Sequence, residues 1–264
     1  MNAEVGQELN LEQSLRSGAV LEGVLFALHE GLSKCKFVVT TADSETKLLL
    51  FLSATENAFA FLRVLVSPHS FASVANARSA LEALIDMRAV HEDKTHIARM
   101  SMEFYKNKRN AFASTVRMLQ KIGVVKGIGP DVYQRKLNDL DKEISQIKIK
   151  GTAKKRKDEL IADHIDDSGI LLTLWTVLCD ITHNNLNVLS VRHISKSDGQ
   201  IKIMINAPIE DTLAEGIVGC LASMFVDSAI TLIPVVKDVD QDFFINCVIA
   251  AKAKLWWLES IPTP

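Results

Sequence analysis

The sequence predicts a mainly α-helical protein, an up-and-down helical bundle with one small β-hairpin near residues 189–205. Most of the 264 residues fall into long segments whose apolar side chains recur every three or four positions. Residues that start and stop helices separate these segments. In contrast, Asp198-Gly199 lies between two short runs of alternating apolar residues, which is typical of a hairpin turn. A hydrophobic content of 48% is enough to build the core of a single helical domain over residues 1–264.

Three helices are predicted in the part of the chain before His91. The first runs from about Leu11 to Ser33 and is expected to end near Gly31, because glycine often terminates helices. The second begins after the helix-start residues that follow Thr41 and runs to Pro68, which cannot continue a helix. The third has its apolar positions from Phe71 to Ala89.

The middle of the chain is more polar. A fourth helix is predicted from about His96 to Gln120, and the glycines of 123–130 break it. A charged segment over 131–149 is also expected to be helical. A basic connection over 148–157 follows it, and Asp158–His164 is expected to form a short helix.

The last part of the chain returns to apolar helices. Residues Asp166-Asp-Ser168 can start a helix that contains Trp175. After the hairpin, Pro208 precedes an apolar helix that is expected to end near Pro234. The final helix is predicted over Asp240–Glu259.

The cellular setting is predicted from three features. The N-terminal residues lack the basic start and apolar segment of a secretory signal, and the four cysteines contain no CxxC pair. The apolar segment Gly216–Val236 is long enough to span a bilayer, but Asp227 near its centre is costly in lipid. We therefore expect a cytoplasmic protein with reduced thiols, a buried helix over this segment and no membrane partner.

The overall charge indicates no general affinity for polyanions. Lys and Arg number 30 against 32 Asp and Glu, a formal charge of −2, so that no global field attracts nucleic acid. The best local basic patch is Lys148–Lys157. Such a run between helices is usually a solvated connection, and the alternative is an RNA-binding segment with steep salt dependence.

Polar groups on two otherwise apolar helices form the candidate site. Arg78 and Glu82 are spaced i to i+4 and complete the apolar stripe of the third helix, whereas Asp86 falls on the opposite side. A buried Arg or Glu requires partners, so this helix needs further polar groups in the interior. The Trp175 helix offers them, since it turns polar at its end, with Asp180, His183, Asn184, Asn185 and Asn187.

We interpret Arg78, Glu82 and His183 as candidate catalytic residues, because Arg can hold a phosphate or carboxylate, a Glu can orient a histidine, and His can transfer protons. Asn184, Asp180 and Asn185 are the candidate ligand-binding residues. The alternative is that these groups satisfy one another as a buried network that fixes the register of the helices.

The sequence predicts neither a metal site nor a cofactor. Cys179 and His183 are spaced i to i+4 and could share a metal, but no paired ligands complete the site. A second group, His91, Glu92, Asp93 and His96, has the character of an exposed helix junction. The GxSxG, GxxxxGK[ST] and GxGxxG signatures are absent.

One pair of residues, Arg63 and His69, partly matches a ribonuclease motif. Ribonucleases of the HEPN kind use an arginine followed four to six residues later by a histidine, with a polar residue next to the arginine. Arg63 and His69 have this spacing, but the polar neighbour is missing and Pro68 lies between them. A short motif outside its structural context is more often a coincidence.

Two segments, Arg78-Ser-Ala-Leu-Glu82 and Cys179-Asp-Ile-Thr-His183, resemble the shared pattern of a group of bacterial helical proteins of unknown function. The pattern is an Arg-Ser-x-x-Glu helix followed about a hundred residues later by a Ser-or-Cys-x-x-x-His helix end. By element order the resemblance covers residues 40 to 260. It implies a helical bundle in which Arg78, Glu82 and His183 converge, with a HEPN-like role in toxin or phage-defence systems as an analogy of fold.

Two functions follow from these observations. The first is a phosphate- or RNA-directed site, a HEPN-like ribonuclease or defence effector, in which His183 is the general acid or base and Arg78 clamps the anion. The second is a non-catalytic interaction or dimerisation module whose Arg78–Glu82–His183 network is structural. In that case the apolar C-terminal helices, with Trp256 and Trp257, would form a homo-oligomer.

Overall fold

A computed structural model describes residues 2–67, 70–121, 130–147, 157–164, 168–183, 194–197, 200–203 and 209–259. The described residues are mostly helical, which confirms the mainly α-helical part of the predicted fold class. The helices are α1 (Asn2–Lys34), α2 (Ala42–Leu65), α3 (Val74–Glu92), α4 (His96–Lys121), α5 (Pro130–Gln146), α6 (Lys157–His164), α7 (Ser168–Thr182), α8 (Asp211–Ile230) and α9 (Asp238–Glu259). Short 3₁₀ turns over Ser70–Ser73 and Ile233–Val235 precede α3 and α9.

Two short strands, β1 (Ile194–Ser197) and β2 (Gln200–Ile203), lie between α7 and α8. They pair antiparallel, with Ile194 opposite Ile203 and Ser197 opposite Gln200. The turn dipeptide over 198–199 and the flanking residues of the predicted hairpin lie outside the described residues.

The helices group into two compact units, a finer description than the single domain that the sequence predicts over 1–264. The first unit contains residues 1–91 and 157–264, and the second contains residues 92–156. In the second unit, α4 packs against α5. Val116 and Leu140 are buried there, and Arg109 Nε donates to Asp141 Oδ1 at 2.5 Å.

The core of the first unit is built around α1, α8 and α9, which pack against one another. Helix α2 packs on α1 and α8, and α7 packs on α8 and α6. At the centre, Phe225 of α8 and Phe51 of α2 are almost completely buried, with their rings edge to face and their centroids 5.6 Å apart. Aromatic pairs favour this arrangement because the positive edge of one ring meets the negative face of the other.

Helix α2 shows how closely local sequence sets a helix start. Thr41 is the N-cap, and its Oγ1 accepts a hydrogen bond from the Ser44 backbone N–H at 3.1 Å. The Ser44 side chain accepts in return from the Thr41 backbone N–H, also at 3.1 Å. This reciprocal capping satisfies two donors that have no partner inside the helix.

Two helices, α2 and α8, are long and apolar enough to cross a membrane by length and composition alone, a criterion that core helices of soluble proteins also meet. Half of the most apolar stretch of α8 is buried inside the protein. The apolar segment over 216–236 is not one continuous helix, because α8 ends at Ile230 and the turn Ile233–Val235 follows. Pro234 in that turn cannot donate a helical hydrogen bond.

Helix α1 passes through Gly31 and ends at Lys34, one residue beyond the predicted bound at Ser33 and three beyond the glycine near which it was expected to end. Tertiary packing gives this glycine a second role. A Cβ atom built on Gly31 would lie 2.8 Å from Cδ2 of Phe244 and 3.3 Å from Cβ of Cys247, both on α9. Glycine therefore serves here as the point of close approach between α1 and α9.

Substitution of Gly31 by Ala is expected to lower the free energy of unfolding by about 1–2 kcal/mol. Overpacking against the buried Phe244 ring costs about 1–3 kcal/mol, and the gain in helix propensity offsets up to about 1 kcal/mol of it. Gly219 of α8 is the matched control, because a Cβ there meets nothing within 4 Å. Urea denaturation should show Gly219→Ala to be neutral or stabilising; equal losses in the two variants would contradict this account of Gly31.

Candidate functional site

The side chain of Arg78 joins α3 to the end of α7. Its Nη1 donates to Thr182 Oγ1 at 2.5 Å and lies 3.1 Å from His183 Nε2. Its Nη2 donates to Glu82 Oε1 at 3.1 Å. The structure thus brings together the three candidate catalytic residues, with Arg78 in contact with both of the others.

Local helix geometry places each of these groups. Glu82 lies one turn after Arg78 on α3, so the two side chains project from the same side of the helix. On α7, the backbone N–H of His183 still donates to the Cys179 carbonyl at 2.9 Å, which fixes the histidine one residue past the helix end. Thr182 Oγ1 donates to the Leu178 carbonyl at 2.8 Å, so its lone pairs face Arg78.

The Trp175 ring packs against the guanidinium of Arg78. The ring is buried, and Arg78 Cζ lies 5.3 Å from the ring centroid. A cation over an indole face is attracted by the ring quadrupole, most strongly where water is partly excluded. Trp175 therefore fixes the plane of the Arg78 side chain, a role that sequence reasoning missed because an aromatic residue in an apolar helix is ordinarily a core residue.

The cluster is open to solvent rather than sealed in the core, which corrects the expectation that Arg78 and Glu82 face inward. The side chain of Arg78 is 20% exposed and that of Glu82 is 37% exposed. His183 and Asp180 are exposed. The periodicity of the sequence identified the side of α3 on which Arg78 and Glu82 lie, but not how deeply they are buried. Helix α3 is buried on most of its circumference, and these two residues lie at the edge of the buried part.

The contact with Arg78 favours one tautomer of His183. Because a guanidinium carries donors only, a hydrogen bond between the two side chains requires Nε2 of His183 to accept, with the ring proton on Nδ1. Among the described residues, His183 contacts Arg78 rather than Glu82, so Arg78, and not the carboxylate, orients the ring. Arg78 uses three of its five donors in this way; Nε is buried and has no acceptor among the described residues, and one hydrogen of Nη2 has none either.

A second charge pair extends the cluster along α3. Lys157, the first residue of α6, forms an ion pair with Asp86 and donates to the Glu82 carbonyl at 3.3 Å. Asp86 was expected on the opposite side of the helix, which is wrong, because Lys157 contacts both Asp86 and the Glu82 carbonyl. Asp86 is one turn past Glu82, and the spacing 78, 82, 86 could have revealed a polar edge.

The neighbouring thiol is poorly suited to nucleophilic or ligand chemistry. Burial raises the pKa of Cys179 above its ordinary value; the Arg78 guanidinium lowers it, and the carboxylates of Glu82, Asp180 and Asp158 raise it again. The thiol is therefore protonated at neutral pH, whereas metal binding requires the thiolate. Among the described residues, no group of three or more His, Cys, Asp or Glu side chains has an arrangement that could hold a metal ion.

Three other candidate residues lie outside the described residues, namely Asn184, Asn185 and His69, the histidine of the HEPN-like motif. Arg63 of that motif is exposed and lines a cleft of about 1270 Å³ between α1 and α2. That cleft is formed by other residues than the Arg78 cluster.

The chain was compared with protein-family models, with curated proteins and with solved structures, and no match was found in any of the three comparisons. The function is therefore argued from the residues of the chain itself.

Proposed function

We propose that the cluster of Arg78, Glu82 and His183 is an acid–base site that acts on a phosphodiester of RNA. The observation that carries the proposal is the position of the Arg78 guanidinium, held between a carboxylate and an imidazole at a solvent-exposed edge. A cation beside a histidine supplies both an anion clamp and a proton acceptor. The resemblance of Arg78-Ser-Ala-Leu-Glu82 and Cys179–His183 to bacterial helical proteins, with their HEPN-like analogy, points in the same direction.

The proposed reaction is the internal transesterification of RNA. The 2′-hydroxyl attacks the adjacent phosphorus, the P–O2′ bond forms and the P–O5′ bond breaks. In the structure Nε2 of His183 contacts Arg78 Nη1, so this contact opens as Nη1 turns to the phosphate. His183 then takes the 2′-hydroxyl proton on Nε2 and returns it to solvent, and solvent supplies the proton that the leaving O5′ gains. The products are a 2′,3′-cyclic phosphate and a 5′-hydroxyl, so no further reactant is consumed.

Arg78 stabilises the phosphate oxygens in this scheme. Its unused Nη2 hydrogen provides capacity for an anionic ligand beyond the contacts it already makes, whereas Nε is buried. Glu82 and Trp175 are positioning residues, since the first accepts from Nη2 and the second lies under the guanidinium plane. Lys157, paired with Asp86, adds a second cation near Glu82.

Binding of uridine 3′-monophosphate, measured by isothermal titration calorimetry, tests the anion clamp. Arg78→Ala is expected to weaken binding by about 10- to 150-fold, because a charge-assisted hydrogen bond contributes about 1.5–3 kcal/mol. Thr176→Ala is the matched control on α7; Thr176 is exposed, and its hydroxyl donates only to the Leu172 carbonyl. Arg78→Lys keeps the charge but lacks the paired N–H donors of a guanidinium, so it should bind the nucleotide with intermediate affinity.

The clamp is rejected if folded Arg78→Ala binds the nucleotide as tightly as the wild type. It is equally rejected if the wild type does not bind the nucleotide at all.

The second candidate is a non-catalytic interaction or dimerisation module. The observation that favours it is that Arg78 already contacts three acceptors, on Thr182, His183 and Glu82. Such contacts are those of a network that fixes α3 relative to α7. It predicts a stable oligomer in a sizing measurement and no nucleotide binding. Trp256 and Trp257, which the sequence assigns to such an interface, have side chains outside those that the structure describes.

The cellular setting belongs to the proposal as well. A cytoplasmic bacterial protein that cleaves RNA fits a toxin or phage-defence effector, and a homo-oligomer through the C-terminal helices is compatible with it.

A further inference from the structure

The small net charge of the chain conceals a strong separation of charge. Residues 92–156, the second compact unit, contain 16 Lys and Arg and 7 Asp and Glu, a formal charge of +9. Because the whole chain carries −2, the remaining residues carry −11. The absence of a global field, expected from the total charge, is therefore compatible with a local positive field in this unit.

Helix α4 carries much of this positive charge in ordered structure. It contains six Lys and Arg, namely Arg99, Lys106, Lys108, Arg109, Arg117 and Lys121, against one acidic residue, Glu103. Arg99 and Arg109 form ion pairs with Asp93 and Asp141, and Lys108 lies over the Phe104 ring. Lys106, Arg117 and Lys121 are exposed, and among the described residues they form no ion pair.

These three cations lie on one face of the helix. At 3.6 residues per turn they fall within about 60° of one another around the axis, and they span about 22 Å along it. Asn110 and Ser114, both exposed, lie on the same face. We define the basic face of α4 as Lys106, Asn110, Ser114, Arg117 and Lys121.

We propose that the basic face of α4 binds the phosphate backbone of RNA. Lys and Arg interleaved with Asn and Ser are the side chains that contact phosphates and sugars in nucleic-acid complexes. The two large apolar side chains exposed on α4, Phe104 and Met118, lie 14 positions apart, and the exposed residue midway between them is only Ala111. This is less than the continuous apolar stripe of a membrane-surface helix. The choice of RNA over DNA rests on the proposed function. The proposed phosphate contacts rest only on the side chains of the basic face of α4.

The test uses a fluorescein-labelled single-stranded RNA of about 20 nucleotides and measures anisotropy between about 0.05 and 0.3 M salt. Variant Lys106→Gln/Arg117→Gln/Lys121→Gln removes the cations. Three phosphate contacts contribute about 0.7 each to the slope of log K against log salt, so the slope should fall by about 2. At 0.1 M salt this corresponds to about a hundredfold weaker binding.

The control is Lys36→Gln/Lys237→Gln/Lys252→Gln, which removes three exposed lysines from the other compact unit. It should bind as the wild type does. His183→Ala is tested for cleavage and not for binding, so that failure of the proposed cleavage and failure of this binding face are distinguishable. If the triple variant of α4 is misfolded by circular dichroism, the three single variants replace it, and each should lose about 0.7 from the slope.

Several results would overturn the proposal. They are the absence of RNA binding at low salt, an unchanged salt slope in the α4 variant, and equal weakening in the control. Preference for single-stranded DNA of the same sequence would overturn the choice of RNA. Binding to phosphatidylserine vesicles in place of RNA, lost in the α4 variant, would identify a membrane-surface helix instead.

Discussion

Replacing His183 by Ala is expected to reduce RNA cleavage by about 10²–10⁴-fold, the usual contribution of a positioned general base. The effect should fall on kcat rather than on RNA binding, because Arg78 and the basic face of α4 remain. Stability should change by no more than about 0.5 kcal/mol, since the His183 side chain is exposed at the end of α7. Single-turnover cleavage of a labelled oligonucleotide, with urea denaturation of the same samples, measures both quantities.

Thr176→Ala, on an exposed position of the same helix, should cleave at the wild-type rate. Cleavage that survives in folded His183→Ala would remove His183 from the reaction. A large loss of stability without any measurable wild-type cleavage would instead support the structural network.

Phe225→Ala is expected to lower the free energy of unfolding by about 3–5 kcal/mol, the largest stability effect anticipated for this chain. The Phe225 ring is fully buried in α8, and its removal deletes the edge-to-face contact with Phe51 of α2. Because α8 packs against α1, α2 and α9, the cavity would lie where these helices meet and could not collapse easily. Urea denaturation monitored by circular dichroism is the measurement.

Phe104→Ala is the matched control for Phe225→Ala, because the Phe104 ring is 58% exposed. It should lose less than about 1 kcal/mol, through its contacts with Tyr105 and Lys108. Comparable losses in the two variants would show that Phe225 is not at the centre of the core.

Helix positions were predictable where the signal is local. Thr41 was correctly expected to start a helix, because its side chain and that of Ser44 satisfy donors within one turn. Gly31 shows the limit of local rules. Its propensity places it near the helix end at Lys34, but the Phe244 ring, which occupies the space of the missing side chain, is not visible to a local rule.

The residues of the candidate site were predictable more readily than their environment. Spacing placed Arg78 and Glu82 on one side of α3, and the polar end of α7 indicated His183 as a partner. The burial of Arg78 and Glu82 was not predictable, because residues at an exposed edge and residues in a buried stripe recur with the same period. The stacking of Arg78 on Trp175 depends on the packing of α3 against α7, which no local pattern encodes.

The total charge does not show where the charge lies. The total of −2 averages a strongly basic unit with a strongly acidic remainder, and a field acts locally rather than through the sum. Counting Lys106, Arg117 and Lys121 along one helix reveals the separation, but it requires the bounds of α4 and the exposure of each side chain.

The chemical nature of the RNA ends produced by the wild-type protein tests the central proposal most directly. A uniformly labelled oligonucleotide is incubated with the protein, and the termini are identified by mass spectrometry. The proposed site predicts a 2′,3′-cyclic phosphate and a 5′-hydroxyl, and no cleavage at a position where a 2′-deoxynucleotide replaces the ribonucleotide. Intact RNA, or fragments that end in a 3′-hydroxyl and a 5′-phosphate, would contradict it.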